Sequence, residues 1–97
     1  MAVLVVGEVH VQPDRVAEFK AYLAELLPDT RAYDGCRGVE VYEDEEKEVS
    51  ILFFEHWESR GHQEKYVAWR TDTGVMAKFG AMLEGTSSVR YFRDTGI

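Results

Sequence analysis

The stretch Val49 to Trp57 constrains this chain more than any other. It reads as a β-strand, and Ile51-Leu52-Phe53-Phe54 places apolar side chains on both of its faces, because successive residues of a strand point to opposite sides. A strand apolar on both faces needs cover on both. Helices predicted elsewhere in the chain can supply one cover. A second copy of the chain is the simplest cover for the other, so the strand predicts a homodimer as well as a sheet.

The other elements follow from local pattern. Val3 to Val11 is β-branched and alternates from Gly7 onward, which predicts a first strand with Val5, Gly7, Val9 and Val11 on one face and Val6, Glu8 and His10 on the other. Pro13 suits the opening of a helix, and Val16, Phe19, Leu23, Leu26 and Leu27 recur at helical spacing. Pro28 should kink or end that helix, and the chain after it has room for one further turn. Asp34-Gly35 closes the segment, and a second strand runs from Cys36 to Glu43. The polar turn Asp44–Lys47 then joins it to Val49–Trp57 as an antiparallel hairpin. Ser59 is an N-cap for a helix reaching about Arg70. Val75, Met76, Phe79, Met82 and Leu83 keep helical spacing up to Gly85, and Ser88–Arg93 is a last strand. The order β-α-β-β-α-β, with its second helix broken in two, predicts an α+β fold: a ferredoxin-like four-stranded antiparallel sheet with helices on one face.

Length and charge limit what such a fold can serve. Ninety-seven residues suffice for one domain, 1–97, and are too few for two. A formal net charge of −7 argues against nucleic acid and against anionic membranes as partners. No apolar run approaches bilayer length, and the N-terminus lacks the pattern of a signal peptide, so a cytoplasmic location is expected. The single cysteine, Cys36, can form no internal disulfide and reads as an inert, buried thiol. The acidic run Glu43–Glu48 reads as a solvated turn. No dinucleotide or phosphate-loop glycine pattern is present.

Four short motifs carry a resemblance. Val9-His10-Val11-Gln12-Pro13, Asp34-Gly35-Cys36-Arg37-Gly38 leading to Tyr42-Glu43-Asp44, Glu55-His56-Trp57-Glu58-Ser59 and Val89-Arg90-Tyr91-Phe92 occur in the order and at the spacing of the antibiotic-biosynthesis-monooxygenase family, which this chain resembles over nearly its whole length. The resemblance implies a dimeric α+β barrel of two facing ferredoxin-like sheets. Members include cofactor-independent oxygenases of phenolic polyketides and quinols, haem-degrading enzymes, and an isomerase-like branch acting on a phosphorylated sugar. Two departures stand out. Where many relatives carry His nine residues after the tryptophan, this chain has Tyr66. The Asn, Trp, His set of the haem-degrading branch corresponds here to Gly7, Trp57 and Tyr66, so only the tryptophan is kept and haem degradation is disfavoured.

On the helix after Ser59, His62, Tyr66, Trp69 and Arg70 fall at i, i+4, i+7 and i+8, one helical face. Aromatic area with polar tips suits a flat, hydroxylated ring. The same pattern also fits plain core packing, with Arg70 reaching to solvent. Of the three histidines, His10, His56 and His62, only His62 shares this face, which makes it the candidate base. Tyr66 and Arg70 would hold substrate oxygens, while Trp57, Trp69, Phe79 and Arg90 would complete a substrate-binding set. No histidine pair has metal-ligand spacing, so no metal is expected.

The reading that follows is a cofactor-independent monooxygenase acting with O₂ on a small electron-rich aromatic, a quinol or polyketide phenol. Two alternatives stand beside it. One is a non-catalytic dimer that binds a small molecule. The other is an isomerase-like enzyme of a phosphorylated small molecule, for which Arg70 and Arg90 would form the cationic subsite.

Overall fold

A computed structural model describes residues 2–97. The chain forms β1 (Val3–His10), a short 3₁₀ turn (Pro13–Arg15), α1 (Val16–Ala32), β2 (Cys36–Asp44), β3 (Lys47–Trp57), α2 (Arg60–Asp72), α3 (Val75–Met82) and β4 (Ser88–Phe92). The strands make one sheet in the order β2-β3-β1-β4, every neighbouring pair antiparallel. This is the expected ferredoxin-like α+β fold, with the two-sided strand β3 at an interior position of the sheet.

Register settles the two faces. Val5 pairs with Glu55, Gly7 with Phe53 and Val9 with Ile51, so the odd-numbered residues of β1 and β3 share the helix side. There Val11, Val16, Phe19, Leu23, Ile51 and Met82 form one buried cluster, while Val5, Trp57 and Tyr66 form another. The Phe19 and Phe79 rings lie 5.3 Å apart, joining α1 to α3.

The opposite face carries Leu4, Val6, Leu52, Phe54 and Phe92, bordered by Tyr42. The described helices all pack on the other side of the sheet. Tyr42 is 49% exposed and packs edge-on against Phe54 at 5.7 Å.

Three local outcomes refine the sequence reading. β1 ends at His10, and Val11 instead makes an isolated bridge to Leu83. β3 begins at Lys47, because the Asp44 carboxylate accepts from the amide of Glu46 at 2.8 Å and tightens the hairpin turn. Pro28 does not end α1: the helix runs through it and holds the one further turn expected, to Ala32. The turns on either side of Pro28 are tied to the rest of the fold, by Arg70 Nη2 on the Leu26 carbonyl before it and by Arg31 Nη2 on the Val39 carbonyl after it, each at 3.0 Å. Those tertiary bonds offset the amide bond that proline removes.

Candidate functional site

A cavity of about 310 Å³ lies between the helix-side face of the sheet and the three helices. Its walls are apolar for the most part: Val5, Val9, Val39 and Phe53 from the sheet, and Phe19, Leu23, Leu26 and Leu27 from α1. Val67, Met76, Phe79 and Leu83 supply much of the remaining wall. Gly80 and Val89 are exposed lining residues, and Val89 is 58% exposed, so the cavity opens between α3 and β4. Leu26 and Leu27 complete the stripe of α1 yet stay only half-buried, because the space in front of them is this cavity.

Four polar side chains enter the lining: Thr30, Glu55, Gln63 and Tyr66. Glu55 sits in a row across the sheet formed by Val39, Glu55, Val5 and Tyr91. Both of its strand neighbours are valines. Trp57 Nε1 donates to Glu55 Oε1 at 2.9 Å, and Oε2 has no partner among the described residues. Burial pushes the Glu55 carboxyl above the usual carboxylate range, and the indole bond opposes this only in part.

Tyr66 is buried, and its hydroxyl is already engaged. It lies 2.6 Å from Thr30 Oγ1 and accepts from Arg70 Nε at 2.9 Å. Arg70 Nη2 donates to Thr30 Oγ1 at 3.1 Å as well as to the Leu26 carbonyl. Thr30 Oγ1 itself reaches the Leu26 carbonyl at 3.3 Å. Arg70 is 4% exposed and has no carboxylate partner among the described residues, so hydroxyl and carbonyl dipoles solvate its charge together with the face of the Trp69 ring, 4.4 Å away.

Gln63 is buried and joins α2 to β4, its Oε1 accepting from Tyr91 OH at 2.9 Å. Its amide nitrogen has no partner among the described residues.

The structure brings Tyr66 and Phe79 to the cavity wall and sets the other candidates elsewhere. His62 is outside it. Its Nδ1 lies 2.7 Å from Ser59 Oγ, and the same oxygen accepts from the His62 amide at 3.2 Å. The ring also covers Gly35, where an added Cβ would come within 2.4 Å of His62 Cδ2. The reason is rotational: the inward face of α2 is Gln63, Tyr66, Val67 and Arg70, and His62 lies about 100° away from Gln63.

Trp57 has no exposed surface and plugs the core beside Tyr66, ring centroids 5.2 Å apart. Trp69 stacks on Tyr33 at 5.1 Å beneath the Arg70 guanidinium, away from the lining. Arg70 stands behind Tyr66 and Thr30. Arg90 projects from the opposite face of the sheet, its guanidinium 4.8 Å above the Phe92 ring, so Arg70 and Arg90 form no common cationic subsite.

Glu55, Gln63 and Thr30 line the cavity but are not among the site residues expected from sequence, although Glu55 opens the Glu55-His56-Trp57 motif. The signal for Glu55 was present: a carboxylate in the register Ile51, Phe53, Glu55, Trp57, otherwise the apolar face of β3. Among the described residues no histidine or cysteine lines the cavity. Gly7 faces this side of the sheet, with an added Cβ meeting Ser88 O at 3.8 Å and Phe53 Cβ at 3.9 Å. Among the described residues no cluster of three or more His, Cys, Asp or Glu could hold a metal ion. No helix there is long and apolar enough to cross a membrane.

Comparison with known proteins agrees with the geometry. The fold is similar to a conserved protein of Methanosarcina mazei, with a TM-score of 0.88 at 21% identity over 98% of this chain and 94% of that one. It is also similar to SnoaB of Streptomyces nogalater, described as a cofactor-independent oxygenase, with a TM-score of 0.82 at 17% identity over 97% and 93%. In sequence, 58 residues are 38% identical to an uncharacterized Synechocystis protein, a match spanning 60% of this chain and 40% of that protein's length. Residues 2–77 match the profile of one family across β1, α1, the β2–β3 hairpin, α2 and the start of α3. On that match, the chain belongs to the antibiotic biosynthesis monooxygenase family.

Proposed function

We propose that the chain is a one-domain, homodimeric oxygenase that oxidises a small, flat, hydroxylated aromatic with O₂ and without a metal, flavin or haem. The observation that carries this reading is the cavity: about 310 Å³ of apolar space into which few polar groups converge. Such a space desolvates a phenol or quinol and leaves its oxygens only a few partners, chiefly Glu55 and the amide nitrogen of Gln63. Family membership and the likeness in fold to SnoaB support the reaction class.

Once deprotonated, an electron-rich ring can reduce O₂ by one electron. The radical pair then collapses to a carbon–oxygen bond, and the hydroperoxide loses water to leave a carbonyl. One oxygen atom enters the product and the other leaves as water. The protein's part is to exclude water, orient the ring and stabilise its anion. The buried Arg70 charge, behind Tyr66 and Thr30, favours an anion on that side of the cavity. The homodimer belongs to the proposal because Leu52 and Phe54 leave the open sheet face apolar.

Oxygen uptake with dihydroxynaphthalenes and anthrones, run with a chelator present, tests the reading. Turnover of one of them supports it, and none by any would overturn the oxygenase. A second reading, a non-catalytic binder, draws on the Tyr66 hydroxyl being already engaged. Saturable binding of these aromatics without oxygen uptake would select it.

A further inference from the structure

We propose that Glu55 is the residue that takes the ligand's proton, and that the site selects neutral, flat ligands bearing an acidic ring hydroxyl. The inference rests on the cavity being the ligand site, as proposed above. Three features carry it. Among the described residues that line the cavity, Glu55 is the only carboxylate. One of its oxygens is fixed by the Trp57 indole, and the other has no partner among the described residues. Its row neighbours Val5 and Val39 offer no hydrogen bond, so a hydroxyl entering the cavity is the natural donor to Oε2.

His62, the candidate base by sequence, is occupied with Ser59 outside the cavity. The raised pKa that burial gives Glu55 makes it a stronger base toward a phenol than an exposed carboxylate is. In the step itself the ligand O–H bond breaks, a new O–H bond forms on Glu55 Oε2, and the charge moves from carboxylate to ring oxygen. No electron is transferred. An anionic ligand is disfavoured, since it would meet the Glu55 charge in an apolar wall.

2-Naphthol is a suitable probe, because in its excited state it becomes a strong acid and emits as naphtholate when a base is in contact. With excitation beyond the tryptophan band, naphthol bound to the wild-type protein should emit as naphtholate. That emission should fade as pH falls and Glu55 becomes protonated. Glu55→Gln, whose amide oxygen still accepts a hydrogen bond, should bind 2-naphthol more weakly, and the bound fraction should show neutral naphthol emission. Trp57→Phe removes the bond that favours the charged carboxylate, so the pH midpoint should move upward. The midpoint measured on the wild-type protein and in Trp57→Phe serves as the test if Glu55→Gln fails to fold. Naphtholate emission persisting in Glu55→Gln, or a wild-type emission independent of pH, would overturn Glu55 as base while leaving the cavity as a ligand site. Absence of 2-naphthol binding to the wild-type protein would overturn both.

Discussion

Trp57 and Glu55 lie two residues apart on the helix-facing side of β3, and the indole nitrogen of the first donates to the carboxylate of the second at 2.9 Å. The bond joins a fully buried ring to an acid on the cavity wall. It therefore couples packing of the core to the charge state of the site.

That coupling gives a pH dependence with a definite sign. The folded Glu55 pKa is raised above its unfolded value of about 4.3, so between the two the native state binds more protons than the unfolded state. Glu55 therefore favours folding at low pH and loses that contribution as pH rises toward the folded pKa. Glu55→Gln should remove this slope. Its melting temperature relative to wild type should be higher at about pH 7 than at about pH 4. An equal difference at both pH values would refute the shift.

Tyr66 offers a second test. Tyr66→Phe takes the acceptor from Arg70 Nε and a partner from Thr30, both buried. Stranding a buried charged donor should cost about 1–3 kcal/mol by denaturant unfolding. Thr30→Val should interact non-additively with it, because both variants break the same network. Strict additivity, or a loss below about 0.5 kcal/mol for Tyr66→Phe, would show the network to be energetically idle.

The α1 stripe carries a third. Phe19 is 1% exposed and packs on Phe79, so Phe19→Ala should cost about 3–5 kcal/mol in urea unfolding. A cost below about 1 kcal/mol would mean that the helix packs through other residues.

Gly7 tests the cavity without touching its polar groups. A Cβ there meets only ordinary van der Waals contacts, and glycine weakens a strand interior. Gly7→Val should keep or raise the melting temperature while projecting toward Phe53 and filling space. Its affinity for 2-naphthol should fall by about tenfold or more, corresponding to about 1.4 kcal/mol. Unchanged affinity would place the bound ring elsewhere.

The open sheet face predicts self-association. Sedimentation should find a dimer at micromolar concentration, and Phe54→Glu should shift it to monomer by placing a charge in the apolar band. A wild-type monomer under these conditions would show that the face needs no second copy.

The sequence by itself determined the order of elements, the antiparallel hairpin, the Ser59 cap and which residues of each strand share a face. Those are short-range properties: a period of two along a strand, a hydroxyl three residues from an amide, a glycine after a helix. It also showed that β3 is apolar on both sides. It did not determine which residues meet across the molecule. The stripe His62, Tyr66, Trp69 and Arg70 is a true helical face, but packing turned α2 so that Gln63, Tyr66, Val67 and Arg70 look inward. Pro28 reads locally as a kink or a stop, and bonds from Arg70 and Arg31, which only the tertiary structure supplies, help hold the turn around it. Glu55 became a candidate site residue because tertiary structure left a cavity before it and apolar neighbours beside it, and desolvation depends on what surrounds a charge rather than on its place in the chain.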